Sequence, residues 1–258
     1  MGRSITFGCT RLPTGKKGKL VKDDKGYYEI ALGAFNVTSS RGEYYPFLDQ
    51  VAAMFKPTGT IMRQLQKGIV IAEDDHPKPT PGMSEDDWIE RVLYLDDNNK
   101  VEHIASVRIE DAKDENGKPI VLTIGRVKPE GPKSHLVEGV YENPDENLYH
   151  SIRTLAIPVF TLRGKEKHVT EIVTWDKVRE GGVDNSDKYS TPSMEAMVND
   201  FVIREEALRK LAYKASAGAS MEAAVNAKRV LTNLGWQNLE VINPLNLILP
   251  EYLSQWED

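Results

Sequence analysis

Hydrophobic and polar positions follow patterns that predict a strand-rich body for most of the chain. Residues 27–34 alternate and are rich in strand formers, and residues 69–72 form a short apolar run typical of a buried strand. Apolar residues recur at helical spacing over 47–65, but Pro57 and Gly59 interrupt them, so we expect two helices there. Further strands are predicted at residues 89–95, 101–109, 120–127, 148–162 and 168–175.

Two kinds of connection separate these predicted strands. Residues 96–99 and 114–119 are short and rich in turn formers, which favours antiparallel neighbours. Residues 128–147 are polar and rich in Pro, Gly and Glu, which predicts a long, mobile loop that serves either as a lid or as a loop on the substrate side.

The pattern changes near residue 190. Residues 193–234 hold few strand formers and many Ala, Glu, Lys and Met, and they predict two helices separated at 217–218. We therefore expect an α+β fold in which residues 1–190 form one domain and residues 191–258 form a helical C-terminal extension.

Composition narrows the possible functions by exclusion. Hydrophobic residues make up 40% and charged residues 28% of the chain, as in ordinary soluble globular proteins. The net charge of -6 gives no reason to expect nucleic-acid or membrane-surface binding. Cys9 is the single cysteine, which favours a reducing compartment, and no apolar run has the length of a signal peptide or membrane helix.

Several motifs of catalytic or metal chemistry are missing from the sequence. It contains no H-E-x-x-H, no C-x-x-C and no G-x-S-x-G, which argues against a zinc site and an α/β-hydrolase. Among five histidines, His76 stands out because it ends an apolar strand beside three acidic residues and a proline (GIVIAEDDHP). Neighbouring carboxylates favour the imidazolium that forms in acyl transfer. The residues alone do not identify the serine that would pair with it.

Four segments in order resemble the prohead proteases of tailed bacteriophages. They are residues 36–46 (NVTSSRGEYYP), 68–77 (GIVIAEDDHP), 150–154 (HSIRT) and 173–178 (VTWDKV). The second is similar to a family strand that ends in Gly-Glu-x-x-His-Pro, with alanine at position 72 in place of the glycine. The third is similar to the family's Ser-x-Arg. These proteases share a fold with the assemblins of herpesviruses, which implies a closed, mostly antiparallel barrel surrounded by helices.

The resemblance assigns roles to individual residues. Ser151 would be the nucleophile, His76 the general base and Asp176 the acid that orients the histidine. Arg153 would help to form an oxyanion or substrate site. Asp111 is the main alternative for the third position, followed by Asp75.

The resemblance also implies where the protein acts and with which partners. It predicts a serine endopeptidase that needs no metal or organic cofactor and cleaves scaffold and capsid proteins inside the procapsid, in the host cytoplasm. A homo-oligomer is expected, with no nucleic-acid or membrane partner. The alternative is a non-enzymatic scaffold or structural component of the procapsid, which has no reason to place Ser151 within hydrogen-bond reach of His76.

The tail contains Ser-Met-Glu-Ala twice, at 193–196 and 220–223. Prohead proteases commonly cut after glutamate, so Glu195 and Glu222 are predicted self-cleavage sites. The same four residues also fit two helix N-termini, with serine as the cap and glutamate in the first turn.

Overall fold

The computed structural model describes residues 3–9, 20–39, 42–114, 116–143, 145–179 and 201–203, together with Lys210 and Tyr213. Four α-helices lie within residues 42–143: α1 (Asp49–Met54), α2 (Thr60–Gln66), α3 (Glu85–Leu93) and α4 (His135–Glu142). The strands are β1 (Arg3–Cys9), β2 (Tyr28–Phe35), β3 (Val37–Thr38), β4 (Tyr44–Tyr45), β5 (Ile71–Glu73), β6 (Lys100–Lys113), β7 (Pro119–Pro129), β8 (Tyr149–Thr161), β9 (Gly164–Val178) and β10 (Phe201–Ile203).

The described strands form two sheets. The larger has the order β10-β1-β8-β9-β4-β3, and the smaller has the order β2-β7-β6-β5. The long hairpins β6–β7 and β8–β9 are antiparallel, as are most other pairings, whereas β4 pairs in parallel with β9. The predicted mixed α+β class is confirmed. The pairings of the described strands do not close a barrel, so closure stays a prediction.

The two sheets meet where β5 runs beside β9. Just after β5, Asp74 forms a parallel bridge with Lys177, and the Asp75 N–H donates to the Lys177 carbonyl at 2.7 Å. The Thr174 hydroxyl donates to the Ile71 carbonyl at 2.5 Å. These bonds hold the end of a strand from the smaller sheet against the strand of the larger sheet that carries Asp176.

The main hydrophobic core is built from residues of both sheets. It includes Trp175, Ile152, Ile104 and Val127, each of which is almost fully buried. Full burial of such a side chain contributes about 1.5–3 kcal/mol. Strand β2 is irregular near Leu32, whose side chain packs so closely on β7 that a Cβ added at Gly125 would lie 2.2 Å from the leucine Cδ1. Any other residue at position 125 would therefore force the buried Leu32 side chain to shift.

Two sequence predictions in the body are wrong. Residues 89–95, predicted as a strand, belong largely to α3. The Ser84 hydroxyl caps this helix by accepting from the Asp87 N–H, and three acidic residues fill its first turn. Residues 128–147, predicted as a loop, contain α4, which buries Val137 and Tyr141 one helical turn apart.

The tail differs from the prediction at one described point. Residues 201–203 lie in the predicted helical region but form β10, which pairs with β1 at the edge of the larger sheet. The run Phe-Val-Ile consists of three strong strand formers, which explains the difference. Lys210 and Tyr213 are helical. The rest of the 191–258 extension, including Glu195 and Glu222, lies outside the described residues.

No helix in the described part of the chain is long and apolar enough to cross a membrane.

Candidate active site

The register of β8 and β9 places two predicted site residues side by side. Ser151 on β8 lies directly opposite Asp176 on β9, and Arg153 lies opposite Thr174. Because side chains alternate along a strand, Ser151 and Arg153 project from the same face of β8. Both residues are buried near the start of β8, where the long antiparallel ladder with β9 fixes their backbones.

His76 reaches this face from the smaller sheet. The chain turns sharply after β5 because Asp75 has a positive φ of 67°, a conformation that aspartate tolerates better than most residues. The Asp75 carboxylate then accepts from the His76 backbone N–H at 2.8 Å. Because the backbones of Asp74 and Asp75 are hydrogen-bonded or bridged to Lys177 of β9, the turn directs the His76 imidazole towards Asp176.

The imidazole of His76 bridges Ser151 and Asp176. Its Nε2 lies 2.6 Å from the Ser151 Oγ, and its Nδ1 lies 2.7 Å from the Asp176 Oδ2. All three side chains are buried, with His76 at 8%, Ser151 at 3% and Asp176 at 0% exposure. An ionised carboxylate at Nδ1 requires a proton on that nitrogen, so Nε2 is left to accept the serine proton.

Asp176 is held in its ionised form. Burial alone would raise the pKa of this carboxyl, but the charge of Arg153 and hydrogen bonds from His76 and Arg153 outweigh it, so the pKa lies below its ordinary value. The Glu73 backbone N–H also donates to Asp176 Oδ1 at 3.2 Å. The carboxylate thus faces four donors, two on each oxygen.

Arg153 occupies a different place from the one predicted. Its Nε and Nη2 donate to the two oxygens of Asp176 at 2.8 and 2.7 Å, and Nη2 also pairs with Glu73 at 3.0 Å. Its Nη1 donates to the carbonyls of Val92 and Tyr94. A guanidinium has five N–H donors, and all five have acceptors here. The predicted oxyanion role is therefore corrected, because no N–H of Arg153 is free to bind a substrate oxygen.

The two alternative acids lie elsewhere. The Asp75 carboxylate accepts from the His76 backbone and pairs with Lys78 at 2.6 Å. Asp111 is exposed on β6, opposite Val121. Neither carboxylate takes the position on Nδ1 that Asp176 occupies.

Sequence reasoning missed the buried ion pair of Glu73 and Arg91. The Glu73 carboxylate is fully buried and binds Arg91 of α3 at 2.6 Å. It also accepts from the backbone N–H of Asp96 at 3.0 Å and from the side chain of Asn99 at 3.1 Å. The signal in the sequence was an acidic residue at the end of an apolar strand, three positions before His76. Buried charges of this kind need partners.

A second polar cluster lies behind the strand that carries Ser151. His150 points to the opposite face of β8, where its Nε2 lies 2.7 Å from the fully buried Glu102 carboxylate. The Tyr141 hydroxyl of α4 donates to the other oxygen of Glu102. Burial and the neighbouring Glu102 charge raise the pKa of Tyr141 well above its ordinary value, so the phenol keeps its proton. The cluster ties β6, α4 and β8 together one residue from Ser151.

Replacing Tyr141 with phenylalanine is expected to destabilise the protein by about 1–3 kcal/mol, because a buried carboxylate oxygen loses its donor. Urea unfolding at neutral pH measures the change. Tyr94→Phe is the control, because the Tyr94 side chain is 60% exposed and removal of its hydroxyl should leave the unfolding midpoint unchanged. A Tyr141→Phe protein as stable as wild type would mean that the phenol does not support Glu102.

Within the described residues, no three His, Cys, Asp or Glu side chains are grouped so as to hold a metal ion. The described polar groups around Ser151 pair with one another, and the contact of Ser151 Oγ with His76 Nε2 is the geometry that proton transfer from a serine requires.

Comparison with known proteins places the chain in a family. The family model described as the Peptidase S80 family matches residues 7–233. The chain belongs to this family. It is 34% identical over 232 residues to a capsid maturation protease of Pseudomonas phage phiKZ, and the match covers 86% of this chain and 85% of the relative. No solved structure matches the chain.

These findings confirm the predicted relationship to the capsid-maturation proteases of bacteriophages. His76, Ser151, Arg153 and Asp176 all lie within the part of this Peptidase S80 chain that the family model matches.

Proposed function

We propose that this chain is a serine endopeptidase in which Ser151 is the nucleophile, His76 the general base and Asp176 the orienting acid. The observation that carries the proposal is the simultaneous contact of one imidazole with a serine hydroxyl and a carboxylate, at 2.6 and 2.7 Å. Nucleophile, base and orienter in this arrangement define acyl-transfer chemistry irrespective of fold or chain order. Membership of a peptidase family supports the same reaction class.

The proposed reaction has two steps. The Ser151 Oγ attacks the scissile carbonyl carbon while His76 Nε2 takes its proton. The imidazolium then protonates the leaving amine as the C–N bond breaks. Water next attacks the acyl-enzyme with His76 again as base, and Ser151 recovers its proton. The ionised Asp176 keeps the Nδ1 proton in place and stabilises the imidazolium in both steps.

The proposed substrates are capsid and scaffold proteins. The support is the phage relative, which is named a capsid maturation protease. We place the enzyme inside the procapsid, as a homo-oligomer, with cleavage after glutamate. Self-cleavage after Glu195 and Glu222 belongs to the same proposal and would remove parts of the C-terminal extension.

Labelling with a fluorophosphonate tests the serine chemistry without a known substrate. The reagent phosphonylates only activated serines, so we expect a single adduct on Ser151, located by peptide mass spectrometry. His76→Ala should lose the adduct because Ser151 then lacks its base, whereas Ser106→Ala, which changes an exposed serine of β6, should label like wild type.

Two outcomes would count against the proposal. An adduct on another serine would move the nucleophile away from Ser151. A folded wild-type chain that neither reacts nor cleaves co-expressed scaffold and capsid proteins would favour the non-enzymatic role in the procapsid.

A further inference from the structure

A buried set of alternating charges extends from Asp176 to helix α3. The order of contacts is Asp176, Arg153, Glu73 and Arg91, with nitrogen–oxygen distances of 2.7, 3.0 and 2.6 Å. Asp176, Arg153 and Glu73 are fully buried, and the side chain of Arg91 is 24% exposed. The set contains two carboxylates and two guanidinium groups, so its net charge is zero.

The charge balance matters because Asp176 alone does not determine the field at His76. Arg153 makes a bidentate contact with the orienting carboxylate and reduces the negative potential that this carboxylate offers an imidazolium. Glu73 supplies a second negative charge that offsets Arg153, and Arg91 in turn offsets part of Glu73. Charges buried in this way are poorly screened by salt.

We propose that Glu73 and Arg91 are positioning residues that set the proton affinity of His76 with opposite signs, through Arg153 and Asp176. The inference rests on the proposed function in that His76 is the proton acceptor. It adds a role for helix α3, because Arg91 pairs with Glu73 while the carbonyls of Val92 and Tyr94 accept hydrogen bonds from Arg153. A shift of α3 would change both the charge balance and the position of the Arg153 guanidinium relative to Asp176.

Two substitutions separate this role from a purely structural one. Arg91→Met removes a positive charge and leaves the set net negative, which favours imidazolium. Glu73→Gln removes a negative charge and leaves the set net positive, which disfavours imidazolium. A structural role would lower activity in both variants without moving their pH dependence in opposite directions.

Other ionisable side chains near the site are the same in every variant. They are Asp75 and Lys78 beside His76, Asp74 on the turn after β5, and the two lysines that pair with Asp74, Lys133 and Lys177. Their contributions are common to all the profiles and cancel in the comparison.

The measurement is the second-order rate constant of Ser151 labelling by a fluorophosphonate as a function of pH. The acid limb of this profile reports loss of the neutral imidazole. We expect its midpoint to move by about 0.5–1 pH unit, upward in Arg91→Met and downward in Glu73→Gln. Arg91→Lys keeps the charge and should restore the wild-type midpoint. Arg108→Met, at a surface ion pair of β6, is the control and should not move it.

A second readout does not require catalysis. In a Ser151→Ala background, the titration of the His76 imidazole followed by NMR should show the same opposed shifts. If wild type is not labelled at all, the proposed function fails, yet this titration still decides the inference. If Glu73→Gln does not fold, Arg91→Met and Arg91→Lys carry the test. Unmoved midpoints, or shifts of the same sign, would overturn the role of Glu73 and Arg91.

Discussion

Ser151→Ala is expected to lower peptidase activity by about 10⁶-fold, the scale seen when a serine protease loses its nucleophile. The substitution removes one oxygen that lies 2.6 Å from His76 Nε2 and leaves the β8 backbone unchanged. The fold should therefore survive, and loss of activity can be assigned to chemistry. Co-expression with scaffold and capsid proteins, followed by intact-mass analysis, measures cleavage in both chains.

The same masses report on self-processing. Wild type should lose C-terminal residues to give chains that end at Glu195 or Glu222, whereas Ser151→Ala stays full length. Ser106→Ala should behave as wild type does. Cleavage that persists in a folded Ser151→Ala protein would show that another group, or another protease, performs it.

Asp176→Asn is expected to reduce activity by about 10⁴-fold and also to destabilise the fold. The activity falls because an amide does not hold the Nδ1 proton or stabilise the imidazolium as a carboxylate does. The fold weakens because Arg153 loses the partner that accepts both of its parallel N–H donors. Removing one member of a buried charge pair costs about 3–5 kcal/mol.

The stability difference should depend on pH with a known sign. The folded pKa of Asp176 lies below its ordinary value of 3.8, so ionised Asp176 stabilises the fold above about that pH. The contribution is lost as pH falls through the folded value, so the gap between wild type and Asp176→Asn should be full at pH 7 and shrink below pH 3.8. Urea unfolding at several pH values measures the gap.

Asp111→Asn is the matched control, because it changes an exposed carboxylate on β6 and should alter neither activity nor unfolding. If Asp176→Asn kept wild-type activity and Asp111→Asn lost activity, Asp111 would replace Asp176 as the acid that orients His76.

Local sequence patterns predicted those helices and strands whose formation depends on residues close together in the chain. The helical spacing over 47–65, broken by Pro57 and Gly59, corresponds to α1 and α2. Helix α3 was missed because the apolar and β-branched residues near Ile89 and Val92 resemble a strand. The same residues indicate a helix only when Ser84 is recognised as its N-terminal cap.

The sequence by itself determined that the protein is an α+β chain related to phage procapsid proteases, and it nominated His76, Ser151 and Asp176. Only the tertiary structure decided which acid meets His76, because these contacts join residues 75 and 100 positions apart and depend on the register of β8 and β9. The same register places the Arg153 guanidinium on the Asp176 carboxylate, whereas the sequence had predicted an oxyanion role for it. Periodicity in a sequence reports which face of a strand is buried, whereas the partner of a buried charge is fixed by strands that meet only in the folded chain.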